Sequence, residues 1–437
     1  MRFRDTLKIN TLGHLEIGGV DCIDLVNQYG TPLYAMDEQY IRNVCKSYNT
    51  VLKDYPDSLV CFASKALSTK AIYKIIESEN MGTDVVSGGE LFTAASAGFP
   101  MDRVYFHGNN KSYEELVMAV NFGVHCIVVD NYNDIETLNK ISLENDGKRI
   151  KCLVRVNPGV DAHTHHYIQT SLPDSKFGFS ISNGSAFEAV KAVIENNHLE
   201  FLGIHCHIGS QIFDTKPFIV AIDKMTDFAT DIYNKLNTPV KELNMGGGYG
   251  IHYTEEDSPL PFEEYMSSAV EAVKKAVKSK NIPAPKLIFE PGRSIVGEAG
   301  VTLYKIGSIK EIQGLKKYIA IDGGMFDNPR YALYQAKYSC ILANKALENP
   351  EETVTVAGKC CESGDIIIEN AKLPKAKTGD ILAVFSTGAY NYSMASNYNR
   401  NLVPPMVLVN DGKTDYIIKP QTYEDLVSRD LIPDWLK

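Results

Sequence analysis

SLVCFASKALSTKAIYKIIESENMGTDVVS, residues 58–87, contains one full period of the pattern that sets the fold. Its opening run, Ser58–Lys65, is rich in Val, Leu and Phe, the composition of a strand buried on both faces. Behind it Ala71, Ile72, Ile75 and Ile76 share one face at i, i+1, i+4 and i+5, as a helix lying on that strand would place them. Gly82–Ser87 (GTDVVS) then begins the next run. Working outward, Arg103–Asn109 (RVYFHGN), His125–Asn131 (HCIVVDN), Lys151–Pro158 (KCLVRVNP), Phe201–Gly209 (FLGIHCHIG), Lys241–Gly248 (KELNMGGG) and Lys286–Arg293 (KLIFEPGR) bring the total to eight. The first four end at 65, 87, 109 and 131, one every 22 residues, the length of a compact strand–helix unit. Ser112 and Glu115 form a capping box that opens the helix after the third run. Eight such units predict an α/β chain built on a (β/α)8 TIM-like barrel over residues 32–295. A doubly wound open sheet is the alternative.

The runs change character at their C-terminal ends: Lys65, Asp84 with Ser87, His107 with Asn109, Asp130, Asn157, His207, Gly246–Gly248 and Glu290. A barrel gathers those ends at its active-site face; otherwise they merely begin loops. After about residue 295 the pattern shifts to short strands without intervening helices. These are Val301–Ile309, Lys317–Ile321, Thr353–Ala357, Asp365–Glu369, Asp380–Phe385 and Met406–Val409. A mainly β C-terminal domain of residues 296–437, joined by residues 1–31, is therefore expected.

Composition narrows the function classes. With 437 residues, two domains are expected. A net charge of −10 argues against nucleic acid or an anionic membrane as partner, since each phosphate contact needs a cation. Nine cysteines without framework spacing favour a reduced compartment. Met1–Asn10 has no apolar signal core, and no apolar stretch approaches about 18 residues, so a cytoplasmic enzyme is expected.

Four features carry chemistry. Lys65 (CFASKA) ends an apolar strand, where one-sided desolvation frees an amine as nucleophile, unless it only reaches out to solvent. Gly246-Gly247-Gly248, followed by Tyr249-Gly250, suits either a flexible turn or a cradle of N–H groups for one phosphate. It matches neither G-x-G-x-x-G nor a P-loop. Glu290-Pro291-Gly292-Arg293 offers a carboxylate for a ring nitrogen and an arginine for a substrate carboxylate, or an internal pair. His205 and His207 alternate on one strand; they suit a metal, for which no third ligand stands at zinc-like spacing, or stacking on a flat ring with Ser210 on a phosphate. The Cys360-Cys361 pair is no Cys-x-x-Cys. Lysine, glycine cradle, acid and imidazole together are what pyridoxal 5'-phosphate requires, and no metal is expected.

FASKA, DVVSGGEL, NPGVDAHTHHYIQT, DSKFGF, HCHIGSQ, NMGGGYG, FEPGRSIV, CESGD and GAYNYSMASNYN occur in that order. Through them the chain, from about Thr31 to Val407, resembles the diaminopimelate decarboxylases, a family of alanine-racemase-like (fold type III) pyridoxal-phosphate decarboxylases. The resemblance implies a carboxy-lyase converting meso-2,6-diaminopimelate to L-lysine and CO2, the last step of lysine biosynthesis. It implies that Lys65 carries the cofactor covalently and His207 stacks on its ring. Ser210, Gly246, Gly247 and Gly248, with Gly292, are implied to hold the phosphate, and Glu290 the pyridine nitrogen. Arg293, Arg330 and Tyr334 are implied to recognise substrate, Tyr390 to touch cofactor and substrate, and Glu362 to take the distal amino group. Cys361, from the partner subunit of a homodimer with a shared active site, is implied as the proton donor. Here the motif reads KCCESGD, so Cys361 is assigned by register and Cys360 is an extra thiol. The alternatives are a relative acting on ornithine, lysine, arginine or a carboxynorspermidine-like substrate, a racemase, and a non-catalytic cofactor carrier.

Overall fold

The computed structural model describes residues 6–160 and 175–437. Residues 161–170 of the NPGVDAHTHHYIQT motif lie outside the described residues. By internal contacts the chain divides into two compact units: Arg42–Ile251 with Ser258–Ile295, and the N-terminal segment to Ile41 with His252–Asp257 and Val296–Lys437.

The first unit is a closed parallel barrel. Its strands are β1 (Ser58–Ala63), β2 (Gly82–Val85), β3 (Val104–Phe106), β4 (Cys126–Val129), β5 (Ile150–Asn157), β6 (Leu199–His205), β7 (Glu242–Asn244) and β8 (Lys286–Phe289). Each pairs with its successor, and Leu287 of β8 pairs with Ser58 of β1 to close the ring. The open-sheet alternative is thereby excluded. Cys61, Tyr105, Cys126, Val128, Leu153, Leu202 and Ile288 pack together as a buried core cluster. The helix Lys70–Ser78 starts where Thr69 accepts a hydrogen bond from Ile72 N and buries Ile72, Ile75 and Ile76, the face its sequence period marks out. Tyr113–Phe122 opens on the Ser112–Glu115 capping box and stops at Gly123, whose φ of 74° is the left-handed conformation that glycine adopts without strain. At the start of β7, Glu242 accepts from Tyr105 Oη at 2.9 Å and pairs with His125 at 2.8 Å, so the barrel's N-terminal side is stitched by its own acid.

The second unit is built on a nine-stranded sheet centred on Gly300–Ile312. That long strand pairs with Lys316–Ile321, Ile381–Phe385 and Leu33–Asp37. The strand Leu33–Asp37, buried at all five positions, therefore sides with this sheet, and the division from the barrel falls after Ile41. Its run of buried apolar side chains reads like a barrel strand in sequence; antiparallel pairing with Gly300–Leu303 sets its place. Cys340–Leu342 and Lys413–Ile418 add strands too short or too polar for a clear alternating pattern. Leu15 and Ile17, Leu33 and Ala35, Val301 and Leu303, and Val407 and Val409 form its core.

Candidate active site

In the barrel, strand ends bring together groups that are far apart in sequence. Glu290 follows β8 and is 7% exposed. Its Oε1 meets His107 Nε2, past the end of β3, at 2.8 Å and accepts from Asn244 Nδ2, the last residue of β7, at 2.6 Å. Its Oε2 meets His205 Nε2, the last residue of β6, at 3.1 Å. Burial alone would raise this carboxyl, yet His107 and the hydrogen bonds from His107 and His205 outweigh burial and hold it well below the usual carboxylate range. His205 goes the other way: burial pulls its imidazole down to about 4 against the pull of Glu290. A neutral His205 donates from Nε2, and its Nδ1, which has no partner, then carries a lone pair, less costly to bury than an orphaned N–H. The His107, His205 and Glu290 atoms lie within 4.8 Å of one another, resembling a metal donor set. Their contacts are hydrogen bonds, and the arrangement keeps a buried carboxylate ionised.

Lys65 sits in the turn Ser64–Ala66 directly after β1 with its side chain exposed. The turn is pinned by Glu90, which accepts from Ser64 Oγ and from Val86 N, both at 2.8 Å. Nearby Asp84, at the end of β2, is pushed well up by burial and by the charge of Glu290, with Lys65 opposing. Burial and the positive charges of Lys65 and Arg155 pull His207 well below the usual imidazole range. His207 Nδ1 accepts from Gly247 N at 3.3 Å, which places the proton of the neutral ring on Nε2. Arg155, on β5, stands 3.7 Å from Asp130 and 4.3 Å from the Phe177 ring centre.

The glycine run has a steric cause. A Cβ would lie 2.6 Å from Cys206 O at Gly246, 2.1 Å from Glu290 O at Gly247 and 2.4 Å from Gly209 O at Gly248. Gly246 and Gly248 also have φ of 67° and 117°, where side chains strain the backbone. Their N–H groups do not converge: Gly246 N donates to Asn244 Oδ1 at 2.9 Å while Gly247 N turns to His207. A Cβ on Gly292 would stand 2.8 Å from Ala63 O. Buried Arg293 donates from Nη2 to Ser210 Oγ at 2.9 Å, joining two sequence-predicted residues directly.

The second unit holds the other predicted residues. Arg330 opens the helix Arg330–Tyr334 and is 8% exposed. Its guanidinium donates to Tyr338 Oη at 2.7 Å and lies 4.8 Å from the Tyr253 ring centre. Among the described residues no acid pairs with it. Tyr338 Oη in turn donates to Asn391 Oδ1 at 3.1 Å, and Tyr390 beside it has a φ of 63°, an uncommon conformation for an aromatic residue. Tyr334 is half-buried. Cys361 and Glu362 are exposed. The two adjacent thiols differ: burial, aided by Asp365, pushes Cys360 up to about 12, whereas Cys361 faces out with its N–H on Asn399 Oδ1 at 2.7 Å.

Asn244 and Arg155 escaped the sequence reading, because an amide and a mid-strand arginine carry no pattern of their own. His107 and Asp84 were legible only as polar strand ends, and His205 only as a neighbour of His207. The strand stops at His205, so His207 lies just beyond it.

Residues 41–297 match the family model described as pyridoxal-dependent decarboxylase, pyridoxal binding domain. The chain is 49% identical to the diaminopimelate decarboxylase of Bacillus subtilis over 432 residues, covering 99% of this chain and 98% of that protein. It is 46% identical to that of Synechocystis, covering 99% and 93%. The crystal structure of diaminopimelate decarboxylase from M. jannaschii in complex with L-lysine superposes with a TM-score of 0.93 at 35% identity, covering 99% of both chains.

Proposed function

The chain belongs to the diaminopimelate decarboxylases, within the pyridoxal-dependent decarboxylase family, and from that membership we propose how its residues divide the work. It is a carboxy-lyase that converts meso-2,6-diaminopimelate to L-lysine and CO2. The observation that carries the substrate reading is Arg330: a nearly buried guanidinium, bordered by two phenols, with no acid of its own among the described residues. A buried cation without an anion is costly unless a ligand brings one. The distal carboxylate of diaminopimelate is such an anion, and L-ornithine or L-lysine would leave the arginine unpaired.

The barrel residues fit pyridoxal 5'-phosphate. Glu290 is an ionised carboxylate with three hydrogen-bonding partners and a lone-pair site to spare, and Arg293 stands on Ser210 where a phosphate would need charge. Bound there, the cofactor supplies a conjugated ring that takes up the electron pair left by departing CO2. In this reading Lys65 holds it covalently, His207 stacks on the ring, and Ser210, Gly248 and Gly292 bind the phosphate with Gly246 and Gly247 shaping the floor. Glu290 keeps the proton on the pyridine nitrogen, the state that best accepts negative charge. Arg293, Arg330 and Tyr334 orient the substrate, Tyr390 contacts it beside the cofactor, and Glu362 takes the distal ammonium. Cys361 of a second copy delivers a proton to the α-carbon after CO2 leaves. A homodimer is part of this proposal, as is a reducing cytoplasmic setting, with which nine unbridged cysteines agree. Among the described residues no helix is long and apolar enough to cross a membrane.

The test is product analysis with meso-diaminopimelate, L-ornithine and L-lysine offered in parallel to the cofactor-loaded enzyme. CO2 and L-lysine are expected from the first alone; comparable turnover of ornithine would overturn the substrate reading. For the shared site, mixing Lys65→Ala with Cys361→Ala protein should restore part of the activity. No recovery in demonstrably exchanged heterodimers would count against it.

A further inference from the structure

We propose that Asp365, the last residue of CESGD, is the positioning residue that holds the Cys361 turn against the loop 323–325 of its own chain. The proposal deepens the role given to Cys361 and rests on it. Asp365 is 3% exposed, and its carboxylate binds backbone from two separate loops. Oδ1 accepts from Met325 N at 2.6 Å and Oδ2 from Cys360 N at 2.7 Å. Two backbone bonds run alongside: Gly358 N donates to Asp365 O at 2.9 Å, and Lys359 N to Gly323 O at 3.0 Å. The fit leaves no slack, since a Cβ would lie 2.2 Å from the Asp365 carboxylate at Gly358 and 2.6 Å at Gly324.

Each loop is also fixed on its far side. Gly324 N donates to Asp327 Oδ1 at 2.6 Å, and the helix bearing Arg330 starts three residues after Asp327. Cys361 N donates to Asn399 Oδ1 at 2.7 Å. One carboxylate thus ties the thiol's turn to the loop 323–325 and fixes where the turn presents Cys361. Asp365 touches neither reacting group; it acts through the backbone of Cys360, the residue next to the proton donor. An amide at 365 keeps the shape but turns an NH2 toward one of the two backbone N–H donors, so one bond is replaced by a donor–donor clash.

The experiment is a double-mutant cycle on the holoenzyme with meso-diaminopimelate: wild type, Asp365→Asn, Cys361→Ala and the double variant. Asp365→Asn should lower kcat about 100-fold, the scale of an ångström-sized misplacement, while the bound cofactor's absorption stays unchanged. In the Cys361→Ala background the same change should cost less than about twofold, because two residues acting as one unit are not additive. An equal loss in both backgrounds, or no loss in the first, overturns the proposal. Wild-type kcat in Cys361→Ala alone would instead overturn the role of Cys361. Should Asp365→Asn not yield soluble protein, Gly358→Ala, whose Cβ displaces the same carboxylate, takes its place with the same expected pattern.

Discussion

At the barrel mouth the buried carboxylate of Glu290 meets three donors within 3.1 Å, whereas in the second unit the buried guanidinium of Arg330 meets a phenol at 2.7 Å and, among the described residues, no acid. The first charge is satisfied within the fold and so contributes to stability as well as chemistry. The second is left incomplete, with its nearest groups, Tyr253 and Tyr338, able to shelter a cation but not to neutralise it. That difference separates a platform that must stay the same through the reaction from a recognition group whose partner arrives with the substrate. Backbone strain is found in both units, at Tyr390 in the second and at Gln211 beside Ser210 in the first, each held at positive φ.

The comparison can be broken at several points. Lys65→Ala should give the largest effect, a loss of about 10⁴-fold or more in turnover and of covalently held cofactor, read by assay and by absorption. Next, Glu290→Gln should lower kcat about 10²–10³-fold, the scale of one misplaced charge-stabilising group. Glu290→Ala should in addition destabilise the protein by about 3–5 kcal/mol in urea titrations, because His107, His205 and Asn244 lose their shared acceptor. Smaller is the pH effect of His205, whose folded value near 4 lies below the 6.5 of a free imidazole. The unfolded chain then takes up a proton that the folded chain refuses, so stability falls as pH drops from about 6.5 to about 4, by no more than about 3 kcal/mol. Urea midpoints at pH 7.5 and 5 should show this slope in wild type and a shallower one in His205→Asn, with buried His207 contributing the rest. Smallest of all, Cys360→Ala should change stability by about 1 kcal/mol and leave Cys361 as the thiol that matters.

Much of this was legible beforehand. The 22-residue spacing of the first four strand ends pointed to repeated strand–helix units and eight runs to a barrel, while the choice between barrel and open sheet was settled by the Leu287–Ser58 pairing. Lys65, Glu290 and Arg293 were legible as polar residues closing apolar runs, and Ser210 as a hydroxyl beside the His205–His207 pair, each with an ordinary structural explanation open. What sequence did not show was pairing through space. That His107 and Asn244 converge on one oxygen of Glu290 depends on barrel closure bringing β3 and β7 toward β8. Glycine spacing suggested a phosphate cradle, while the structure shows the first demand to be close backbone approach, with two of three N–H groups already engaged. The expected barrel bounds of 32–295 take in Leu33–Asp37, whose partners lie in the other sheet, with Gly300–Leu303 and Met406–Val409.

The most direct test is Arg330→Met, measured for both kcat/KM on meso-diaminopimelate and thermal midpoint. If the buried cation awaits the substrate's carboxylate, kcat/KM should fall about 10²–10³-fold while the midpoint holds or rises, since an apolar side chain of similar length suits an acid-free pocket better. A midpoint several degrees lower with kcat/KM intact would make Arg330 a structural residue and contradict the account.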